Sequence, residues 1–330
     1  MQTLTTSILN RIQMKQKLKI LSIPTHEGHA HLMSCLGHEF HLITAPGIKK
    51  WDFQTRSLPI NTFIHQLDKI EDFCPNEQYD IVLSQNRLSH YNILLPIAIR
   101  LNVPFIQLDH TEPPPGIVGD YSAQLRSMRG LSANVFITEY NRNSWGGLPD
   151  DPVIPHGINT DLFRGWHGTE AQGISIVNFF PQRDVFCGWN LWQSISKIVP
   201  VKLVGENPGL SKSINDVSEL VAALCSARFF LNTSQLSPVP LSMIEAMACG
   251  CPVVTTAKQE IPNIIQNGVN GIMSNEPAEL VQGCLRLLED PAYAKFLGDN
   301  ARKTVMERFN IQQFVEKWNG VLYNAIDSYR

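Results

Sequence analysis

Apolar residues in this chain fall into short blocks separated by polar, glycine-rich or proline-rich breaks. Residues 18–23 form the first block and stop at Pro24, and the loop Thr25-His26-Glu27-Gly28 follows. Residues 30–36 then read as a helix and 39–44 as a second strand, so the chain opens on a strand–loop–helix–strand unit. Further strands are expected at 79–84, 103–108 and 134–138, with an apolar helix over 92–101. The alternation restarts with Val153-Ile154-Pro155-His156-Gly157. Strands at 173–177, 201–205 and 229–232 follow, with a helix over 217–225. Residues 276–289 are amphipathic, with Leu280, Leu285, Leu287 and Leu288 apolar and Glu279 and Arg286 polar. Phe309, Phe314, Val315, Trp318, Leu322 and Ile326 then fall on one face of a terminal helix. That spacing fits packing on its own domain and a return to the first domain equally well. Two alternating halves in sequence imply an α/β protein with two doubly wound parallel sheets and a cleft between them.

The length of 330 residues suits two domains. Apolar residues at 43% and charged residues at 17% are ordinary for a soluble globular chain. A net charge of −3 argues against general polyanion binding and leaves only a local basic groove as a route to nucleic acid. The seven cysteines (Cys35, Cys74, Cys187, Cys225, Cys249, Cys251 and Cys284) are scattered, with no Cys-x-x-Cys pair. They read as reduced thiols in a cytoplasmic protein. No run of about 18 apolar residues marks a membrane span. The first 17 residues lack an apolar signal core, and Met14 is a second candidate start. Arg11, Lys15, Lys17 and Lys19 leave room for peripheral contact with an anionic membrane, although a solvated leader is the plainer reading.

Residues 237–254 carry the most chemistry. Pro238 and Pro240 stand where a helix should begin, because proline fits a first turn and not an interior. Gly250 ends that helix and residues 252–256 restart as a strand. Glu245 is the one acidic residue inside an otherwise apolar helix. A helix start facing a cleft binds anions, and a carboxylate one turn further in can hold a pair of sugar hydroxyls. That combination suits a nucleoside diphosphate.

Four motifs carry a family resemblance. Residues 241–254 match Leu-x-x-x-Glu-Ala-Met-Ala-x-Gly-x-Pro-Val-Val. Residues 153–163 resemble an interdomain Pro-x-Gly segment, residues 267–272 an Asp-Gly-x-Asn-Gly turn, and residues 36–40 the Gly-His-Glu-Val before a second strand. Together they resemble the retaining glycosyltransferases of the two-Rossmann-domain GT-B fold, family 4 (group 1). The resemblance implies an acceptor-side domain over residues 1–152, a donor domain over 153–310, and a final helix over 311–330 packing back on the first domain. It also implies a metal-independent hexosyltransferase, without a resident cofactor, that uses a UDP- or GDP-type nucleotide sugar as substrate. The acceptor stays open among glycan, lipid-linked and small-molecule classes.

Residue roles follow from the same likeness. Glu245 takes the position that holds the donor ribose. Ser237 stands eight positions earlier, where the family has a second glutamate on the donor sugar. Arg183 is the candidate phosphate arginine, while Cys187 stands where the clamp lysine is expected before Gly188; Lys202 or Lys258 would then supply the second charge. Asn263 replaces a glutamate common in the family. His110, at the end of a strand, matches a histidine that contacts the donor sugar. Pro240, Leu241 and Ser242 open the donor helix, and Gly28 and Gly205 let backbone approach the ligand. Catalysis would fall to Arg183, His110 and Glu245. Trp189 and Trp192 read as cleft lining or as core. A metal on His26, His29 and His31 is disfavoured, since Ala30 breaks the spacing and no acidic partner completes a set. Three functions compete: an active transferase, a nucleotide-sugar-binding protein without turnover, and a transferase acting on nucleic-acid bases.

Overall fold

The computed structural model describes residues 16–70, 73, 77–114 and 132–329. The basic residues Arg11 and Lys15, the second candidate start Met14, and Cys74 therefore lie outside the described residues.

Six parallel strands form the N-terminal sheet: β1 (Lys19–Ser22), β2 (Glu39–Thr44), β3 (Thr62–Gln66), β4 (Ile81–Ser84), β5 (Phe105–Asp109) and β6 (Ser132–Phe136). Their order is β3-β2-β1-β4-β5-β6, and Ile20 sits in register with Phe40 on one side and Ile81 on the other. Five parallel strands form the second sheet: β7 (Glu170–Ile176), β8 (Val201–Val204), β9 (Ala227–Asn232), β10 (Val253–Thr255) and β11 (Ile272–Met273), in the order β11-β10-β9-β7-β8. Central strands of such sheets are covered on both faces, which is why they appear in the sequence as apolar runs. The chain has the two-sheet GT-B architecture.

Two of the differences from the sequence expectation fall beside the first strands. The first helix spans Glu27–Ser34 and starts three residues early, because the His26 side chain accepts from the His29 backbone N–H and caps it. Strand β3 is an unexpected edge strand; Phe63 is 43% exposed there, so no apolar alternation marks it.

The last helix, Ile311–Tyr329, buries Phe314, Trp318 and Leu322 among Leu18, Ile20, Met33 and Leu36 of the N-terminal half. His38 Nε2 meets Asn319 Oδ1 at 2.9 Å at the same junction. Gly157 makes the crossing possible: a Cβ there would lie 2.6 Å from the Phe314 Cβ. Of the described cysteines, Cys35 is exposed; Cys187, Cys225, Cys249, Cys251 and Cys284 are buried and form no disulfide. Among the described residues no helix is long and apolar enough to cross a membrane.

Candidate functional site

A cleft of about 880 Å³ opens between the carboxyl ends of the two sheets. Doubly wound sheets bind ligands at this edge, because the loops leaving the strands converge there with free backbone groups. Thr25 follows β1, Gln85 follows β4 and His110 follows β5; Val177 follows β7, Gly205 follows β8 and Thr233 follows β9, and all six line the cleft.

The helix Leu241–Cys249 points its start into this space. Pro240 is its N-cap and makes no side-chain capping bond to the first turn, while Pro240, Leu241 and Ser242 line the cleft. The free N–H groups and the helix dipole make this end an anion donor. Ser242 is partly engaged, its Oγ donating to the Ile176 carbonyl at 3.3 Å. Gly28 faces the same end: a Cβ there would meet Leu241 Cδ2 at 3.1 Å, so glycine sets how closely the first loop approaches the helix. Gly205 adopts φ +126, and a Cβ there would lie 2.2 Å from the Val177 carbonyl oxygen.

Glu245 lies one turn into the helix, lines the cleft and is buried. It is already paired: Arg56 Nη2 of the N-terminal half donates to its Oε1 at 2.9 Å. Burial pushes the Glu245 carboxyl above the ordinary carboxylate range, and the guanidinium limits the rise. Arg183 is exposed at the cleft, its Nη1 donating to the Asn178 carbonyl at 3.3 Å. Ser237 lines the cleft, and Cys187 does so while buried. Lys202 and Lys258 are not among the cleft residues, so neither stands in for a lysine at position 187. Trp189 and Trp192 stack on each other at 5.3 Å, and Trp192 Nε1 donates to Ser175 Oγ at 2.9 Å inside the core of the C-terminal half.

His110 belongs to a cluster that spacing alone did not show. Its ring meets His29 edge-on at 4.3 Å, and His29 meets His156 at 5.5 Å. His110 Nε2 lies 3.4 Å from Gln85 Oε1. Burial, then the neighbouring His156 and His26, hold His110 well below the usual histidine range. Burial lowers His156 to about 4. These imidazoles are therefore neutral at physiological pH and serve as hydrogen-bonding groups, not cations. Neither ring nitrogen of buried His29 has a hydrogen-bond partner among the described residues. His31 turns away, its Nε2 2.7 Å from the Ser57 carbonyl. Among the described residues no three His, Cys, Asp or Glu side chains are placed to share a metal ion.

The N-terminal wall also holds Arg87, which donates to Asp109 Oδ2 at 3.1 and 2.7 Å and to Asn134 Oδ1 at 3.0 Å. Arg56 and Arg87 escaped the sequence reading, and His29 and His156 entered it only as a disfavoured metal candidate and an interdomain residue, because their partners are far away in the sequence.

Residues 202–290 match the family model described as Glycosyl transferases group 1. With the two facing parallel sheets, that match makes the chain similar to the group 1 glycosyltransferases in its C-terminal half. It is 28% identical over 114 residues to N-acetyl-alpha-D-glucosaminyl L-malate synthase of Bacillus anthracis, covering 34% of this chain and 29% of that one. It is 27% identical over 206 residues to MMP alpha-(1->4)-mannosyltransferase of Mycolicibacterium hassiacum, covering 53% and 48%. The chain thus spans under half the length of the curated relatives named here. Among solved structures, Anabaena HepE in complex with UDP aligns with a TM-score of 0.69 at 13% identity, covering 94% of this chain and all of that one. Sucrose-phosphate synthase from Thermosynechococcus elongatus aligns at 0.68 with 16% identity, covering 95% and 100%. At these identities the structural likeness is one of fold.

Proposed function

We propose that the protein transfers a hexose from a nucleoside-diphosphate sugar to an acceptor with retention at the anomeric carbon. One observation carries the reading: an uncapped helix start and a buried carboxylate one turn behind it face the same interdomain cleft. The helix start suits the diphosphate and Glu245 the ribose diol. HepE, which shares the fold, has been solved with UDP and with UDP-glucose, and this favours a uridine nucleotide.

In this scheme the bond between the anomeric carbon and the β-phosphate oxygen breaks while the acceptor oxygen bonds on the same face. The acceptor proton passes to the leaving phosphate oxygen. The protein's share is electrostatic: Arg183 and the helix N–H groups stabilise charge growing on the phosphate, at roughly 2–4 kcal/mol per dedicated contact. His110, neutral and held near His29, hydrogen-bonds sugar hydroxyls. Ser237 reaches the sugar as a short neutral group where the family carries a carboxylate. No step calls on a resident metal or cofactor. The acceptor enters along the wall formed by Gln85, Asn86 and Thr111, in the half that carries acceptor choice.

Calorimetric and thermal-shift titration with UDP, GDP, ADP and their sugars tests this. One nucleotide should raise the melting temperature, since ligand at 100 Kd adds about 2.7 kcal/mol to the native state. Nucleotide release from the matching sugar should then disappear in Glu245→Ala. Absence of any nucleotide effect refutes the donor site. Ser237 and Cys187 favour a second reading, a nucleotide-sugar-binding protein without turnover, and donor binding with no transfer or hydrolysis decides for it.

A further inference from the structure

Arg56 sits on a strap between β2 and β3 whose backbone is fixed by its own side chains. Trp51 Nε1 donates to the Arg56 carbonyl at 2.8 Å. Asp52 accepts from the Gln54 N–H at 2.9 Å and from Thr55 Oγ1 at 2.7 Å. The Asp52 N–H donates to Glu27 Oε1 at 3.2 Å, and Lys49 Nζ pairs with the same carboxylate at 2.9 Å. Across the cleft, Asn178 Nδ2 donates to Thr55 Oγ1 at 3.4 Å. The strap is therefore anchored on both halves, while the Arg56 guanidinium rests on one oxygen of Glu245. Its side chain can turn without any movement of that backbone.

The Glu245 side chain is 7% exposed and the Arg56 side chain 11%, so they share one dry corner of the cleft. A ligand diol that chelates both Glu245 oxygens competes with the guanidinium for Oε1. With the ligand filling the cleft, little water is left to solvate the displaced charge, and an unpaired buried charge is strongly penalised. The ligand must therefore carry an anion within reach of the same strap. A nucleoside diphosphate has both parts, a ribose diol and a diphosphate, on one frame. The cleft also lacks a cation at position 187, where buried Cys187 stands, and leaves Arg183 as the cleft cation on the donor-side wall.

We infer that Arg56 is a second diphosphate cation, held on Glu245 in the free protein and released onto the diphosphate when the nucleotide ribose takes Glu245. The inference rests on the donor reading above. It makes ribose and diphosphate binding interdependent: the diol frees the cation that the phosphates need. A nucleoside without phosphates displaces Arg56 and offers it nothing in return.

The test is calorimetric titration of wild type, Arg56→Gln and Arg56→Lys with UDP and with uridine, or with GDP and guanosine if guanine is the preferred base. In Arg56→Gln the affinity for the diphosphate should fall roughly tenfold to a hundredfold, the size of a lost charge-assisted contact. Nucleoside affinity should hold or rise, because Glu245 is free from the start. Arg56→Lys should recover most of the preference for the diphosphate. If Arg56→Gln tightens both ligands equally, Arg56 is only a latch; if it weakens both equally, its role is structural. Either result overturns the inference. Wild type that binds neither nucleotide removes the donor reading and this inference together, a pattern distinct from the other two. Should Arg56→Gln fail to fold, Glu245→Gln decides with inorganic pyrophosphate as the probe. Freed from its carboxylate, Arg56 should then bind pyrophosphate more tightly than in wild type; unchanged or weaker binding refutes the proposed role.

Discussion

His156 gives a sharp test of the cleft's electrostatics. It lies on the segment joining the two halves, is 6% exposed, and has a buried Nδ1 with no partner. Burial lowers it from 6.5 to about 4. The unfolded chain therefore takes up a proton near pH 6.5 that the folded chain refuses until about pH 4. Stability linked to His156 is complete above the unfolded value and is lost as pH falls toward the folded one. At about 1.36 kcal/mol per pH unit the full loss is on the order of 3 kcal/mol, most of it reached by pH 4.5. Buried carboxyls oppose this. Burial raises Glu245 and Asp109 above their ordinary values, so they gain stability as pH falls. Wild-type stability alone would mix the two slopes, and His156→Gln isolates one. Urea unfolding should be followed by fluorescence and circular dichroism together, since two domains need coincident transitions before one free energy is meaningful. The difference between wild type and His156→Gln should shift in favour of the variant by roughly 2–3 kcal/mol between pH 7.5 and 4.5. A difference constant within about 0.5 kcal/mol over that range would show that His156 is not held neutral by burial.

Three further outcomes follow from geometry. Gly205→Ala places a side chain at φ +126 and 2.2 Å from the Val177 carbonyl oxygen; the backbone strain alone costs about 1–3 kcal/mol, and the contact adds to it, which a fall in melting temperature measures. Trp318→Ala empties a side chain that is 1% exposed; a loss of about 3–5 kcal/mol is expected, with early proteolysis of the Ile311–Tyr329 helix, and an unchanged protease pattern would contradict the helix's docking. Gly28→Ala meets Leu241 Cδ2 at 3.1 Å, a contact a flexible leucine tip can relieve; stability should barely change while the KM for the donor rises, and an unaltered KM would separate Gly28 from the donor site.

What the sequence discloses depends on how local each device is. The strands of the two sheets are readable because a parallel strand covered on both faces must be apolar along its length. The Leu241–Cys249 helix is readable because proline, a lone carboxylate and a terminal glycine act within a few residues of one another. Strand β3 is not readable: it is an edge strand, and its partial exposure erases the pattern. The site divides along the same line. Glu245 stands out as a charge among apolar neighbours, whereas Arg56 lies among Lys49, Lys50 and Asp52 and looks like one more solvated charge. Its partner is 189 positions away. The histidine cluster is equally hidden, drawn from the first helix, the end of β5 and the interdomain segment. Each half of the chain thus encodes its own half of the cleft in local pattern. The groups that couple the halves arise only where the sheets face each other, and a residue such as Arg56, with no local signal, can then govern how Glu245 meets a ligand.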